Sequence, residues 1–237
     1  MADRTFSRRV FLWLGLICLA IGSQSSRGAE PVAAKALPKV LIIGDSISLG
    51  YTPVVKEMLA GQAEVLRPAT NCQHSGFGAA NVRQWVGTTK WDVIHFNFGI
   101  WDTHMLDEMN ALVRDEAGAK GPLHIRHTPE QYRKNLESII AVLEATGAKL
   151  IFANTTPIMS RQGERFEAIP KLNASAAALM AEKQIPVNNL YDYVLPNAKA
   201  WQGGDKVHFT PEGSKQLGRK VSDEILAVLK PKAAPAK

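Results

Sequence analysis

Five short apolar runs, separated by stretches with helical patterning, constrain the fold more than any other feature of this sequence. Lys39-Val-Leu-Ile-Ile43 is the clearest. It is apolar at successive positions and rich in β-branched residues, so as a strand it has no face to offer water and must be covered on both sides. Ala63–Arg67, Trp91–Phe98, Lys149–Ala153 and Ile185–Leu190 complete the set. Between them, Thr128-Pro-Glu-Gln131 supplies a capping hydroxyl, a proline for the first helical position and a glutamine that can close a capping box. Tyr132, Leu136, Ile139, Ile140 and Leu143 then recur at helical spacing, and Gly147 marks the stop. Thr210-Pro-Glu opens a last helix in the same way, with Leu217, Val221, Ile225 and Leu229 on one face. Strands alternating with helices predict an α/β fold with a central parallel sheet of about five strands, covered on both sides. No internal repeat is present. The polar, Gly-containing stretch Leu106–His127 is expected to form a long surface loop or lid near the site.

The ends of the chain read differently. Ser7-Arg-Arg-Val-Phe-Leu12 leads into an apolar run ending at Ile21, followed by small residues through Ala29. That is the layout of a secretory signal peptide, and the run is shorter than the roughly 20 residues a membrane-spanning helix needs. The paired arginines fit either a Sec or a twin-arginine signal. The reading is therefore a signal peptide over 1–28, a linker over 29–38, one domain over 39–230 and a Lys/Pro/Ala tail over 231–237. It implies an exported protein, periplasmic or extracellular, with no stable membrane anchor once the signal is removed. The first 28 residues carry four basic residues and one acidic one, so the net charge of +6 falls to +3 without them. That is too little to argue for a nucleic-acid partner. Of two cysteines, Cys18 lies in the signal, which leaves Cys72 unable to form an internal disulfide. It is expected to be a small, partly buried residue.

In a parallel sheet, ligands bind where the strands end. The first strand runs into Gly44-Asp45-Ser46-Ile47-Ser48-Leu49-Gly50. Gly44 permits a sharp exit, and Ser46 falls ahead of a helix start, where a backbone N–H and the positive helix end can stabilise an oxyanion. A serine hydroxyl needs a base to become a useful nucleophile. Asp205-Lys206-Val207-His208 offers one near the other end of the chain: on a turn, the carboxylate can engage one ring nitrogen while the second faces outward.

Gly44-Asp45-Ser46 after a leading strand, with Asp205-x-x-His208 near the C-terminus, resembles the SGNH (GDSL-type) hydrolase family of esterases and lipases. The resemblance runs from residue 39 to about 229. It implies a three-layer α/β/α flavodoxin-like sandwich, with Ser46 as nucleophile, His208 as general base and then acid, and Asp205 orienting His208. It implies no cofactor and no metal. The family also takes oxyanion donors from a glycine after the second strand and an asparagine, in Gly-x-Asn-Asp, after the third. Here the third strand is followed by Gly99-Ile100-Trp101-Asp102, with Trp101 in the asparagine position. The candidate donors are therefore the Ser46 N–H, Gly76, Asn71 and the Trp101 indole. Trp91–Asp102, Thr128–Leu136 and Ala153–Pro157 are similar to secreted members grouped with carbohydrate O-acetylesterases. That implies a small-molecule or polysaccharide ester as substrate, with Phe77, His104 and Trp201 lining its site.

Other residues have plainer readings. His124 and His127 are expected in a solvated loop, His95 as a hydrogen-bonded core residue, and Asp45 and Asp102 as organisers of turns. Two alternatives remain open: an esterase acting on lipids or lysophospholipids, and a weakly active carbohydrate-binding protein on the same fold.

Overall fold

The computed structural model describes residues 36–113, 119–159 and 163–230, without the side chains of 163–167. The expected signal peptide, most of the linker and the C-terminal tail lie outside the described residues. In chain order the elements are β1 (Lys39–Ile43), α1 (Ser46–Met58), β2 (Glu64–Leu66), α2 (Ser75–Val86), β3 (Val93–Phe96), β4 (Met105–Leu106), β5 (His124–Ile125) and α3 (Pro129–Glu144). They continue as β6 (Lys149–Ala153), α4 (Gly163–Glu182), β7 (Val187–Asn188), α5 (Leu190–Val194), a 3-10 turn (Leu195–Asn197), α6 (Ala198–Trp201) and α7 (Pro211–Leu229).

The five expected strands form one parallel sheet in the order β2-β1-β3-β6-β7. Alternate residues face opposite sides, and both sides are apolar. Leu41, Ile43, Ile94, Phe96 and Phe152 pack with Val82, Leu136, Ile139, Leu143, Leu172 and Leu179 from α2, α3 and α4. Val40, Ile42, Val93 and Ile151 pack with Tyr51, Val55, Leu217, Val221 and Ile225 from α1 and α7. This is the three-layer sandwich, and it explains why the strand sequences carry no polar alternation. The helix starts form as expected. Thr128 Oγ1 accepts from Gln131 N–H while Gln131 Oε1 accepts from Thr128 N–H, and Thr210 Oγ1 accepts from Gly213 N–H.

Pairing is shorter than the apolar runs. The third run pairs only over Val93–Phe96. Trp91 Nε1–H is drawn to the Val86 carbonyl, and Asn97 Nδ2–H reaches the Ala153 carbonyl. His95 is fully buried on the α1/α7 side, 3.3 Å from Asn188 Nδ2, and burial pushes it down to about pKa 4, so it stays neutral. Cys72 is also buried, which raises its thiol to about 11 and removes it as a nucleophile. The stretch Leu106–His127, expected as a long surface loop or lid, is pinned at its base. Its ends pair as the antiparallel ribbon β4–β5. The nearly buried Asp107 carboxylate accepts the N–H groups of Met109, Ala111 and Lys120, replacing ladder bonds that a short ribbon cannot supply.

At the exit from β3, Gly99 has φ +145°, and a Cβ there would overlap Thr155 Oγ1. Thr155 Oγ1–H and Tyr132 O–H both donate to the Phe98 carbonyl just before it, at 3.0 and 2.6 Å. A side chain at 99 must therefore displace a buried bonded pair. Gly99→Ala is expected to lower stability by about 2 kcal/mol or more in urea unfolding.

Candidate active site

The site forms where the parallel strands end. β1 gives way to Gly44, whose added Cβ would lie 2.9 Å from Ser48 Cβ, so the chain can turn this tightly into α1 only without a side chain. Asp45 caps the helix, its Oδ1 accepting the Ile47 N–H at 2.9 Å, and Ser46 is the first helical residue. A residue that sequence reasoning passed over holds this turn from the side. The Arg67 guanidinium, just past β2, donates to the Gly44 carbonyl, Ser48 Oγ and the Thr70 carbonyl at 3.3, 3.1 and 3.3 Å. Nothing local in the sequence marks Arg67 as a site residue, because the partners that tie it to the nucleophile turn, Ser48 and Gly44, lie 19 and 23 positions away.

The opposing loop joins α6 to α7. Gly203 N–H bonds the His208 carbonyl at 2.7 Å and Thr210 N–H bonds the Trp201 carbonyl at 2.8 Å, closing a narrow turn. Inside it, Lys206 takes a left-handed backbone, φ 57°. Asp205 Oδ1 accepts the N–H groups of Val207 and His208 at 3.0 and 2.9 Å, while Oδ2 faces His208 Nδ1 at 2.6 Å. Desolvation works upward on this carboxyl, but the imidazole and the two N–H donors outweigh it and hold the pKa down to about 2. Asp205 is therefore ionised and fixes the proton of His208 on Nδ1. The other nitrogen, Nε2, stands 2.8 Å from Ser46 Oγ across 162 residues of chain. A hydroxyl, an imidazole and a carboxylate thus form one hydrogen-bonded line, able to carry a proton away from the hydroxyl oxygen.

The other expected site residues divide into two groups. Asn71 Oδ1 accepts the Gln73 N–H at 2.9 Å, which leaves Nδ2 as its side-chain donor. Gln73 is left-handed, φ 52°, in the same loop. Trp101 is half-buried, its ring 4.9 Å from that of His104, and among the described residues its Nε1–H has no hydrogen-bond partner. Gly76 lies in the first turn of α2, and a Cβ on it would come within 3.0 Å of His127 Cε1 and 3.2 Å of His74 Nδ1. Phe77 sits between the rings of His74 and Trp85, at 6.3 and 6.0 Å. Trp201 leans on Tyr193 at 5.4 Å and braces the turn below His208 through its carbonyl.

One network went unread in the sequence. Asp102 is fully buried and accepts the Ser75 N–H, the Ser75 hydroxyl and His127 Nδ1–H, the last at 2.6 Å. Asn135 Nδ2–H adds a bond to Ser75 Oγ at 3.0 Å. His127 is therefore not a solvated loop residue: its side chain is only 17% exposed because the carboxylate draws it inward. Among the described residues, no group of three metal-ligating side chains is placed to hold an ion.

Asp45 is buried beside Ser46, and desolvation raises its pKa to about 6 against the donations from Ile47 and Ser48. A carboxyl that holds its proton better when folded makes the fold lose stability as pH rises from about 4 through about 6. The ionised form then costs on the order of 2–3 kcal/mol. Asn at this position can still accept the Ile47 N–H but carries no charge. Asp45→Asn should therefore gain stability relative to wild type by roughly that amount between pH 4.5 and pH 8, read from urea unfolding at both values.

With this geometry in hand, the comparisons with known proteins are informative. Residues 42–216 match the model of the GDSL-like lipase/acylhydrolase family. Among solved structures, the lipase/acylhydrolase from Enterococcus faecalis is 24% identical, with 84% of this chain and 100% of that one covered and a TM-score of 0.66. The acetyl xylan esterase AlAXEase is 16% identical over 79% of this chain and 99% of its own, with a TM-score of 0.63. TesA is 17% identical over 81% and 99%, with a TM-score of 0.59. No curated protein matches. The family match begins within β1 and runs past His208 into α7, and on that basis the chain belongs to the GDSL-like lipase/acylhydrolase family, the SGNH esterases and acylhydrolases.

Proposed function

We propose that this chain is an exported serine esterase that removes an acyl group, an acetyl borne by a carbohydrate, through Ser46, His208 and Asp205. One observation carries the reading: Ser46 Oγ lies 2.8 Å from His208 Nε2 while Asp205 holds the opposite ring nitrogen at 2.6 Å. Ser46 Oγ attacks the ester carbonyl as His208 Nε2 takes its proton. The tetrahedral intermediate then collapses, and His208 returns the proton to the leaving alcohol. Water, deprotonated by the same nitrogen, releases the acid from the acyl-enzyme. Asp205 stays ionised throughout and stabilises the imidazolium.

The oxyanion is taken up by the Ser46 N–H at the start of α1, by Asn71 from the loop after β2, by Gly76 in the first turn of α2, and by the Trp101 indole in place of the family's asparagine. The unpartnered Nε1–H of Trp101 supports this substitution. A carbohydrate acetyl ester is favoured by the similarity of Trp91–Asp102 and Thr128–Leu136 to secreted O-acetylesterases, by a fold shared with an acetyl xylan esterase, and by the half-buried aromatics Phe77 and Trp101. Export rests on the basic head and short apolar run of residues 7–21.

Hydrolysis of p-nitrophenyl acetate and covalent capture of Ser46 by a serine-directed phosphonate test the chemistry. Ser46→Ala and His208→Ala should each lower turnover by about 10⁴-fold or more, and the double variant should lose little beyond that, because the two act as a unit. Wild-type-like turnover in Ser46→Ala would sink the assignment. A preference for acetyl over decanoyl esters is expected, and the reverse would move the substrate to lipids. For the oxyanion hole, Trp101→Phe keeps the ring and removes the donor. It should reduce kcat by about 10²-fold with little change in KM, whereas equal activity would reject the indole's part.

A further inference from the structure

Arg126 and His104 pack against the Trp101 indole, and two further histidines, His74 and His127, pair close to Arg126. Arg126 crosses Trp101, with Cζ 6.0 Å from the ring centroid and an Nη1–H donated to the Trp101 carbonyl at 3.0 Å. His104 packs on another part of the same indole. His127, next in sequence to Arg126, lies 5.2 Å from His74, ring to ring. These residues come from the loops after β2 and β3 and from the end of β5. They share the strand-end edge with Ser46, because β2 and β3 flank β1 in the parallel sheet.

Among the described residues, Arg126 has no carboxylate partner with free capacity. Asp102 lies close enough to support the charge on Arg126, but its oxygens are engaged by Ser75 and His127. Among the described residues no carboxylate forms an ion pair with Arg126. A guanidinium has five N–H donors, and the Trp101 carbonyl takes one direction only. His74 adds a further donor. Its Nδ1 accepts the Phe77 N–H at 3.1 Å, and desolvation and then Arg126 hold it down to about pKa 4, so the neutral ring carries its proton on Nε2. A half-buried guanidinium left with spare donors, 6.0 Å from the centroid of an indole, fits a planar anion better than a point contact with water.

We propose that Arg126, with the His74 Nε2–H beside it, binds a carboxylate on the alcohol part of the ester, so that the acetyl group removed at Ser46 is carried by an acidic sugar such as a uronic acid. The inference rests on the esterase reading above and deepens it: Trp101 supplies a flat apolar surface for the sugar ring and Arg126 a fork for its carboxylate. A neutral sugar or a simple lipid ester would leave that fork unused.

The test separates the two readings by using protein that cannot turn over. Ser46→Ala is titrated calorimetrically with glucuronate, glucose and glucose 6-phosphate. Glucuronate is expected to bind at least tenfold more tightly than glucose. Adding Arg126→Met should erase the difference, and adding Arg126→Lys, which keeps the charge but not the fork, should leave part of it. Equal affinities for glucuronate and glucose overturn the proposal, as does a preference that survives Arg126→Met. Tighter binding of the phosphate than of glucuronate overturns the carboxylate assignment. Wild-type hydrolysis of neutral p-nitrophenyl acetate is measured alongside. Hydrolysis without a glucuronate preference leaves the esterase standing and removes this site. A glucuronate preference without hydrolysis does the opposite.

Discussion

Burial of the sheet on both faces is the constraint from which the rest of the molecule follows. Val40, Leu41, Ile42 and Ile43 are all essentially inaccessible to solvent, as are Val93, Ile94 and Phe96. A strand with no wet face cannot sit in a simple hairpin sheet with one side exposed. Each crossover must lay a helix over one side or the other, and every strand then runs in the same direction. Because the strands are parallel, they end at a common edge, and the segments that leave them meet there. Ser46, Asn71, Trp101 and Asp102 are neighbours for that reason.

At that edge, buried charges hold the loops in place. Arg67 ties the end of β2 to the turn that carries Ser46, and Asp102 ties the turn after β3 to the start of α2 and to His127. The one carboxylate of Asp102 accepts from a backbone amide, a hydroxyl and an imidazole together. Removing one member of such a network leaves the others buried and unpaired, which costs more than the bond itself. Left-handed Gln73 and Lys206 fall in the two loops that face the candidate nucleophile. Their strain sits where the backbone must be held in an uncommon shape, while the helices farther from the site follow ordinary rules.

Much of this was legible before any coordinates. The strand assignments for Lys39–Ile43 and Lys149–Ala153 coincide with the sheet because an uninterrupted apolar run has only one stable use in an α/β chain. The starts at Thr128 and Thr210 were readable because capping is a contact between residues three apart. Gly44-Asp45-Ser46 and Asp205-x-x-His208 stood out as local units for the same reason. What ties the ends of the stretch Leu106–His127 is not legible locally, because Asp107 is bonded by three amide groups that carry no side-chain signature. His127 was taken for a solvated residue because its carboxylate partner lies 25 positions away.

The sequence alone determined what neighbouring residues settle between themselves: where helices start, which strands are buried on both faces, and that Asp205 can reach His208 within one turn. Only the tertiary structure decided which of these local units touch. The 162-residue link from Ser46 to His208 and the 27-residue link from Asp102 to Ser75 both run across the sheet edge. A hydrogen bond needs its atoms within about 3 Å, and across such chain separations that condition is met only by the packing of whole layers, which no local pattern encodes.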